Sequence, residues 1–325
     1  MKFRRRQFVQ LAASAIALPV VSRVARAQTY PSRPVRLIIG YPAGGANDII
    51  GRLIGQWLSE RLGQQFLIEN RAGAAGNIGT EAVVRSPADG YTLLLAGSFN
   101  AINATLYDKL NFNFIRDIAP VAGIIRSTFV MLVNPSFPAK TVPEFIDYAK
   151  ANPGKINMAS GGIGNLTHVA GELFQAMTGV KMLHVPYRGG APAMTDLIGG
   201  QVQVYFGTVS ESIESIRAGR LRALAVTTAA RSEVLPDIPA LGEFVPGYEA
   251  SGWQGIGAPN NTPTDVIDKL NKEINAAIAD PKLKARLADL GSTPLAGSPA
   301  EFGKFIAGET DKWGRLIRTT GIKPE

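Results

Sequence analysis

Apolar residues recur along this chain in two alternating rhythms. VRLIIGY (35–41) is a short apolar run broken only by Arg36, the pattern of a buried strand. The period then switches: Ile49, Ile50, Leu53, Ile54, Trp57, Leu58 and Leu62 share one face at helical spacing, which predicts a helix from Asp48 to Leu62. QFLIENR reads as the next strand, IGTEAVVR as a helix and YTLLLAG as a strand. TFVMLVNP (128–135) is a strand, and Pro143 to Ala151 a helix halted at NPG. INMAS is a strand, and the helix after it runs from Leu166 to Met177 and stops at Thr178-Gly179. KMLHVPY, APAMTDLIGG, VQVYFGT, SESIESIRAG and LRALAVTT continue the alternation. Strands alternating with helices of this length predict βαβ units and mostly parallel sheets. After them WQGIGAP is a single strand, followed by two long helical patterns. Thr264 or Asp265 can cap the first, which runs toward Ala279; Ser298-Pro299-Ala300-Glu301 opens the second as a capping box with Pro at the first helical position. No low-complexity run or linker separates independent domains, so the pattern predicts two α/β lobes joined by crossing strands.

Charge alters the picture only once the first 27 residues are set apart. MKFRRRQFVQLAASAIALPVVSRVARA has a basic head, an apolar stretch from Leu11 to Val21 and Ala25-Arg26-Ala27 before Gln28, the layout of an export signal with a small-residue cleavage site. The apolar stretch falls short of the ~20 residues that span a bilayer. Arg5-Arg6 followed by Phe8 and Val9 favours the twin-arginine route over Sec. The segment carries six basic residues and no acid, so 28 basic and 26 acidic residues remain, and the net charge falls from +8 to +2. A nucleic-acid partner, which a basic chain would otherwise suggest, is therefore not expected. The 298 remaining residues are enough for about two domains. The absence of cysteine excludes disulfides, thiolate metal sites, a cysteine nucleophile and a lipidated N-terminal cysteine, and it suits the oxidising periplasm.

The candidate chemistry lies in glycine turns. In YPAGGANDII the chain passes from strand to helix through Gly44-Gly45 without a Lys, Arg, His or Cys. A helix N-terminus at the carboxyl end of a strand presents unpaired N–H donors and a partial positive charge, an anion site made of backbone. Gly-Gly alone is more often only a turn. The motif lacks the Gly-Lys-Ser/Thr of a P-loop and the Gly-x-Gly-x-x-Gly spacing, so a carboxylate suits it better than a nucleotide. Asp48 either folds its carboxylate back onto the turn or meets a donor on the ligand. NMASGGIGNLTHVAGELF (157–174) repeats the plan: Ser160, Asn165 and Thr167 supply neutral polar atoms, and Gly161, Gly162 and Gly164 are expected to leave N–H groups accessible. His168 has no partner visible in sequence, since the only other histidine is His184 in MLHVPY. With no Gly-x-Ser-x-Gly elbow, no metal-ligand spacing and no defensible pair of acids, neither an enzyme nor a metal or other cofactor is expected. A second echo, YRGGAPAMTDLI, repeats Tyr, then Gly-Gly-Ala, then a helix; two such turns could face one cleft, though so short a match also arises by chance.

Taken in order, YPAGGANDIIGR, IENRAGAAGNIGTEAVVRSPADGYTLLLAGS, ASGGIGNLTHVAGELFQAMTGVKMLHVPYRGGAPAMTDLIGGQV, IRAGRLRALAVTTAARSEVLPDIPAL and VPGYEASGWQGIGAP resemble the Bug family, the extracytoplasmic solute receptors of tripartite tricarboxylate transporters, across the whole mature chain. The resemblance implies a type II periplasmic-binding-protein fold: two α/β lobes joined by crossing hinge strands, with residues 28–124 and 227–325 in lobe 1 and 125–226 in lobe 2. It implies hinges near Ala122 to Arg126 and Ala223 to Thr228. It implies that a ligand carboxylate meets Tyr41, Ala43, Gly44, Gly45, Asn47 and Asp48, with Ala75, Gly76, Asn77, Ser98, Phe99 and Asn100 in the same lobe. In the second lobe it implies Ser160, Gly161, Gly164, Asn165, Thr167, His168 and Thr208. A small organic acid, transient contact with membrane transporter subunits and a monomeric periplasmic receptor follow from the same resemblance. A ligand sensor serving a signalling partner would have the same fold, and a hydrolase or transferase is the remaining rival. Two departures bear on the ligand. Ala72-Gly73-Ala74-Ala75-Gly76 replaces a richer glycine loop, and Phe206-Gly207 stands where many relatives carry Phe-Asp, which favours a plain organic acid over an amino acid.

Overall fold

The structure, a computed structural model, describes residues 30–324. The expected export signal lies outside the described residues. The chain runs β1 (Val35–Ile39), α1 (Ala46–Leu62), β2 (Phe66–Asn70), α2 (Asn77–Val84), β3 (Thr92–Gly97), α3 (Ser98–Leu106), the single turn α4 (Phe114–Asp117) and β4 (Ile118–Ser127). After Thr128 come β5 (Phe129–Val133), α5 (Val142–Ala151), β6 (Asn157–Ser160), α6 (Leu166–Thr178), β7 (Leu183–Pro186), α7 (Gly190–Ile198), β8 (Val204–Thr208), α8 (Val209–Arg217) and β9 (Arg222–Val226). The chain ends with β10 (Gly252–Pro259), α9 (Thr264–Ala279), α10 (Pro281–Asp289), β11 (Ser292–Pro294) and α11 (Pro299–Thr320).

Two sheets result, with strand orders β11-β4-β10-β3-β1-β2 and β7-β6-β8-β5-β9. They are mixed, not mostly parallel as the alternation predicts. Parallel pairing is confined to β1 with β2 and β3, and to β6 with β7 and β8. The strands next to the crossings run the other way: β10 lies antiparallel to β3 and β4, and β5 antiparallel to β8 and β9. A helical crossover within one lobe returns the chain to the same end of the sheet, whereas a strand arriving from the other lobe enters from the opposite end. The crossings are bonded together. Thr227 N–H donates to Phe129 O at 2.9 Å, Thr227 Oγ1 to Ala250 O at 2.6 Å, and Val209 N–H to Thr128 O at 3.0 Å.

Helix ends follow local chemistry. Gly63 and Gly179, both left-handed at φ 71° and 74°, terminate α1 and α6. Ser298 and Glu301 form the expected box at α11, with Ser298 N–H donating to Glu301 Oε2 at 2.8 Å and Glu301 N–H to Ser298 Oγ at 3.2 Å. At α9 neither Thr264 nor Asp265 caps; the helix starts directly after Pro263, which leaves both residues inside its first turn. The second helical pattern is also preceded by a separate helix, α10, because Asp280 accepts from the N–H groups of Lys282 and Leu283, each at 3.0 Å, and starts a new cap there. One buried cluster holds Trp253, Phe302 and Trp313 together with Phe145, Phe174 and Tyr248, so α11 ties the two sheets through shared core. Separate clusters line the far face of each sheet, around Ile54 and Leu270 in one and Val130 and Leu197 in the other.

Candidate functional site

The ends of both sheets meet at a cleft of about 390 Å³, within the usual size range of small-molecule sites. On the first sheet's side it is walled by Tyr41, Ala46, Asn47, Ala75, Ser98, Phe99 and Asn103, and by Gly252, Trp253 and Gln254 of β10. The second sheet's side gives Phe129, Gly161 to Thr167, Gly190, Tyr205, Thr208 and Glu211, and Ser127 lies at the crossing.

Ten of the residues expected from sequence line this space: Tyr41, Asn47, Ala75, Ser98, Phe99, Gly161, Gly164, Asn165, Thr167 and Thr208. Ala43, Gly44 and Gly45 are exposed on the same turn but not in the lining. Asp48, Gly76, Asn77, Asn100, Ser160 and His168 are buried behind it. Their hydrogen bonds show what they do there.

Asp48 folds back onto its turn. Its Oδ2 accepts from Gly44 N–H at 2.9 Å and Arg52 Nε at 2.8 Å, and Oδ1 accepts from Asn70 Nδ2 at 3.1 Å. The Arg52 bond, helped by those from Gly44 and Asn70 and opposed by burial, holds the carboxyl down at about 2. The N-cap of α1 is Gly45, which offers no side chain to the N–H groups that follow. Ala46 and Asn47 therefore bring an uncapped helix terminus to the cleft wall. Behind them a neutral amide network fixes the loops. Asn100 Oδ1 accepts from Gly97 N–H at 3.0 Å, Asn103 Nδ2 donates to Ala75 O at 2.9 Å and Asn77 Oδ1 at 3.1 Å, and Gln254 Nε2 donates to Asn47 Oδ1. Tyr41 packs edge-on against Phe99 at 4.9 Å, and burial pushes its hydroxyl well above the usual tyrosine range. Ala74 and Ala75 sit at φ 46° and 52°, so this alanine-for-glycine loop is held in the left-handed region.

The second-lobe turn differs from expectation. Its glycine N–H groups are already used: Gly161 donates to Thr167 Oγ1 at 2.7 Å, Gly162 to Ser160 Oγ at 3.1 Å and Gly164 to His168 Nδ1 at 3.1 Å. The hydroxyls of Ser160 and Thr167 and the His168 imidazole bend the turn onto itself. His168 does have a partner. The His184 ring stacks on it at 3.7 Å and 9°, and His184 Nε2 lies 2.6 Å from Ser160 Oγ. Burial, reinforced by His168 and opposed by Glu172, lowers His184 from the usual 6.5 to about 4. In the β6–β7 ladder His184 pairs with Met158, two residues before Ser160 on the same strand, a proximity that spacing along the chain does not reveal.

Tyr205, Glu211, Trp253, Gln254, Asn103 and Phe129 also belong to the lining but carry no motif. The usable signal was alternation. Phe129 follows directly on the β4–β5 crossing, and Tyr205 and Glu211 flank Thr208, the residue expected at the end of β8. No group of three or more His, Cys, Asp or Glu able to hold a metal occurs among the described residues.

A cleft between two mixed α/β lobes, lined by neutral groups apart from Glu211 around an uncapped helix terminus, defines a two-lobed solute receptor. The family model described as the tripartite tricarboxylate transporter family receptor matches residues 50–322. Protein BugT of Bordetella pertussis is 36% identical over 316 residues, covering 96% of this chain and 95% of BugT. Among solved structures, Rpa4515 of R. palustris with adipate superposes at TM-score 0.80 with 36% identity, covering 91% of this chain and 100% of that one. MatC from Rhodopseudomonas palustris with bound malate does so at 0.76 with 28% identity, covering 89% and 100%. The chain belongs to the Bug family of tripartite tricarboxylate transporter receptors.

Proposed function

We propose that this protein is a periplasmic receptor that captures a small carboxylate-bearing solute between its lobes and presents it to the membrane subunits of a tripartite tricarboxylate transporter. The carrying observation is the uncapped N-terminus of α1 at the cleft, with Ala46 and Asn47 in the wall and no cation needed to attract the anion. Adipate and malate in the two related structures support a carboxylate as the recognised group. The ligand contacts are Tyr41, Asn47, Ala75, Ser98 and Phe99 from one lobe and Gly161, Gly164, Asn165, Thr167 and Thr208 from the other. Asp48, Asn100, Ser160 and His168 act behind them by shaping the turns. Closure pivots at the expected hinges, near Ala122 to Arg126 and Ala223 to Thr228, and ligand contacts made in the closed form alone shift the population toward it.

Binding without turnover fits the geometry. The Ser160–His184 pair has the reach of a nucleophile and base, but Ser160 is fully buried and lies outside the cleft lining. Export by the twin-arginine route and residence in the periplasm follow from the N-terminal segment.

A thermal-shift screen over mono-, di- and tricarboxylates, amino acids and aromatic acids tests the reading. A true ligand at a hundred times Kd adds about 2.7 kcal/mol; no stabilisation by any acid would refute it. Ala46→Pro sharpens the test. Proline suits the first helical position and the extended Gly45 before it (φ −81°, ψ 171°), so the helix survives while one donor is lost. Affinity should fall while the apo protein keeps its stability.

A further inference from the structure

Glu211 is the single charged side chain among the residues that line the cleft. It is exposed, stands at the third position of α8, and has no cation within ion-pair distance among the described residues. Thr208 Oγ1 accepts its backbone N–H at 3.3 Å, but its carboxylate turns away from the cap, and Tyr205 Oη donates to Oε2 at 3.4 Å. Both carboxylate oxygens lie 2.8 Å from where a side chain on Gly190 would begin, so they stand over the first residue of α7 at the cleft surface. A second acceptor in the wall lacks a partner: Gln254 Oε1 is buried and accepts from nothing among the described residues. The cleft thus offers donors at the α1 terminus and unanswered acceptors elsewhere.

We propose that Glu211 sets the ligand class, selecting a monocarboxylate that carries an ammonium group at its other end and rejecting dicarboxylates. The inference rests on the receptor reading above and departs from the plain organic acid expected from Gly207. A carboxylate at position 207 has no room, since any side chain there would meet Tyr205 Cε1 at 2.4 Å. The acid is supplied from Glu211 instead, one helical turn further on. An ammonium brought to Glu211 gains a charge-assisted hydrogen bond, whereas a second carboxylate meets like charge there.

The test is isothermal titration of the mature chain with succinate, glutarate and adipate, each against the straight-chain acid of equal length ending in an amino group, with aspartate and glutamate added. The amino acids should bind at least about tenfold more tightly than the matched diacids at one or more lengths. Glu211→Gln, which keeps a partner for Tyr205 Oη, should abolish or reverse that ratio without moving the apo melting temperature. Diacids binding as tightly as their amino counterparts, or a ratio unchanged in Glu211→Gln, overturns the inference and leaves the receptor reading standing. Silence from every compound in both series overturns the two together.

Discussion

The stacked histidines should make the protein acid-sensitive in a window of its own. His184 is partly buried against His168 and beside Ser160, and its pKa falls from the usual 6.5 to about 4. Between those values the unfolded chain binds a proton that the native protein refuses, so stability rises with pH across the window and is lost as pH falls through it. Each pH unit is worth about 1.4 kcal/mol for one proton, and some two and a half units give about 3 kcal/mol from this ring. Asp48 acts lower down. Its pKa of about 2, against 3.8, preserves its contribution until the pH drops below 3.8, so the two groups titrate in separate ranges. Urea unfolding at half-unit steps from pH 7.5 to 4 measures the effect, with His184→Gln as the comparison, because an amide can still meet Ser160 Oγ but does not titrate. The wild type should lose about 3 kcal/mol more than the variant between pH 6.5 and 4. Parallel stability curves for the two proteins would refute the assignment. Ligand affinity should fall in the same range, since the stack holds His168 against Gly164 N–H at the cleft.

Three substitutions probe the supports of the site. Asp48→Ala strips partners from Gly44 N–H and the Asn70 amide and should destabilise by about 3 kcal/mol in denaturant unfolding while weakening ligand binding; a change under about 0.5 kcal/mol would show that the turn holds without it. Gly171→Ala lies within α6, where alanine ordinarily stabilises by up to about 1 kcal/mol. Here its Cβ would meet Met158 Sδ at 2.0 Å, so the sign should reverse to a loss of about 1–3 kcal/mol, and a stabilised variant would contradict the packing. Ser298→Ala removes the α11 cap and should lower stability by about 1 kcal/mol with the ligand Kd unmoved, as read by melting and titration together.

Elements defined by local periodicity were legible in the sequence. The Ile49–Leu62 face gave α1 to within two residues at its start, and Ser298-Pro299-Ala300-Glu301 gave the opening of α11. What sequence hid depends on chain segments brought together from afar. The direction of β10 and β5 is set by the lobe from which they arrive, not by their own residues. α3 has no counterpart in the apolar periodicity because SFNAINATL offers little helical contrast; it is ordered by Asn100 closing back on Gly97 and by packing against α11. At the site, glycine turns marked the right loops, but not which N–H groups stay free. Thr167, Ser160 and His168 consume those of the second lobe, and only the fold shows that His184 stands behind them. Glu211 carries no motif, and its importance comes from being the one charge left in a neutral wall.

The two Tyr-Gly-Gly-Ala echoes turn out to open at the same place, for Ala46 at the start of α1 and Gly190 at the start of α7 both line the cleft. Each helix begins after a glycine N-cap that supplies no side-chain bond, so each end has the makings of an anion seat. Their acids are placed differently. Asp48 belongs to α1 itself and is folded down into the turn, where Gly44, Arg52 and Asn70 absorb its charge and leave the helix mouth open. Over α7 stands Glu211, from another helix, with Tyr205 as its one side-chain hydrogen-bond partner among the described residues. On the proposed reading, a solute carboxylate is drawn to one lobe and repelled by the other. On that reading the asymmetry would orient the ligand before the lobes close, because a reversed molecule would set two anions face to face at α7 while leaving α1 unanswered.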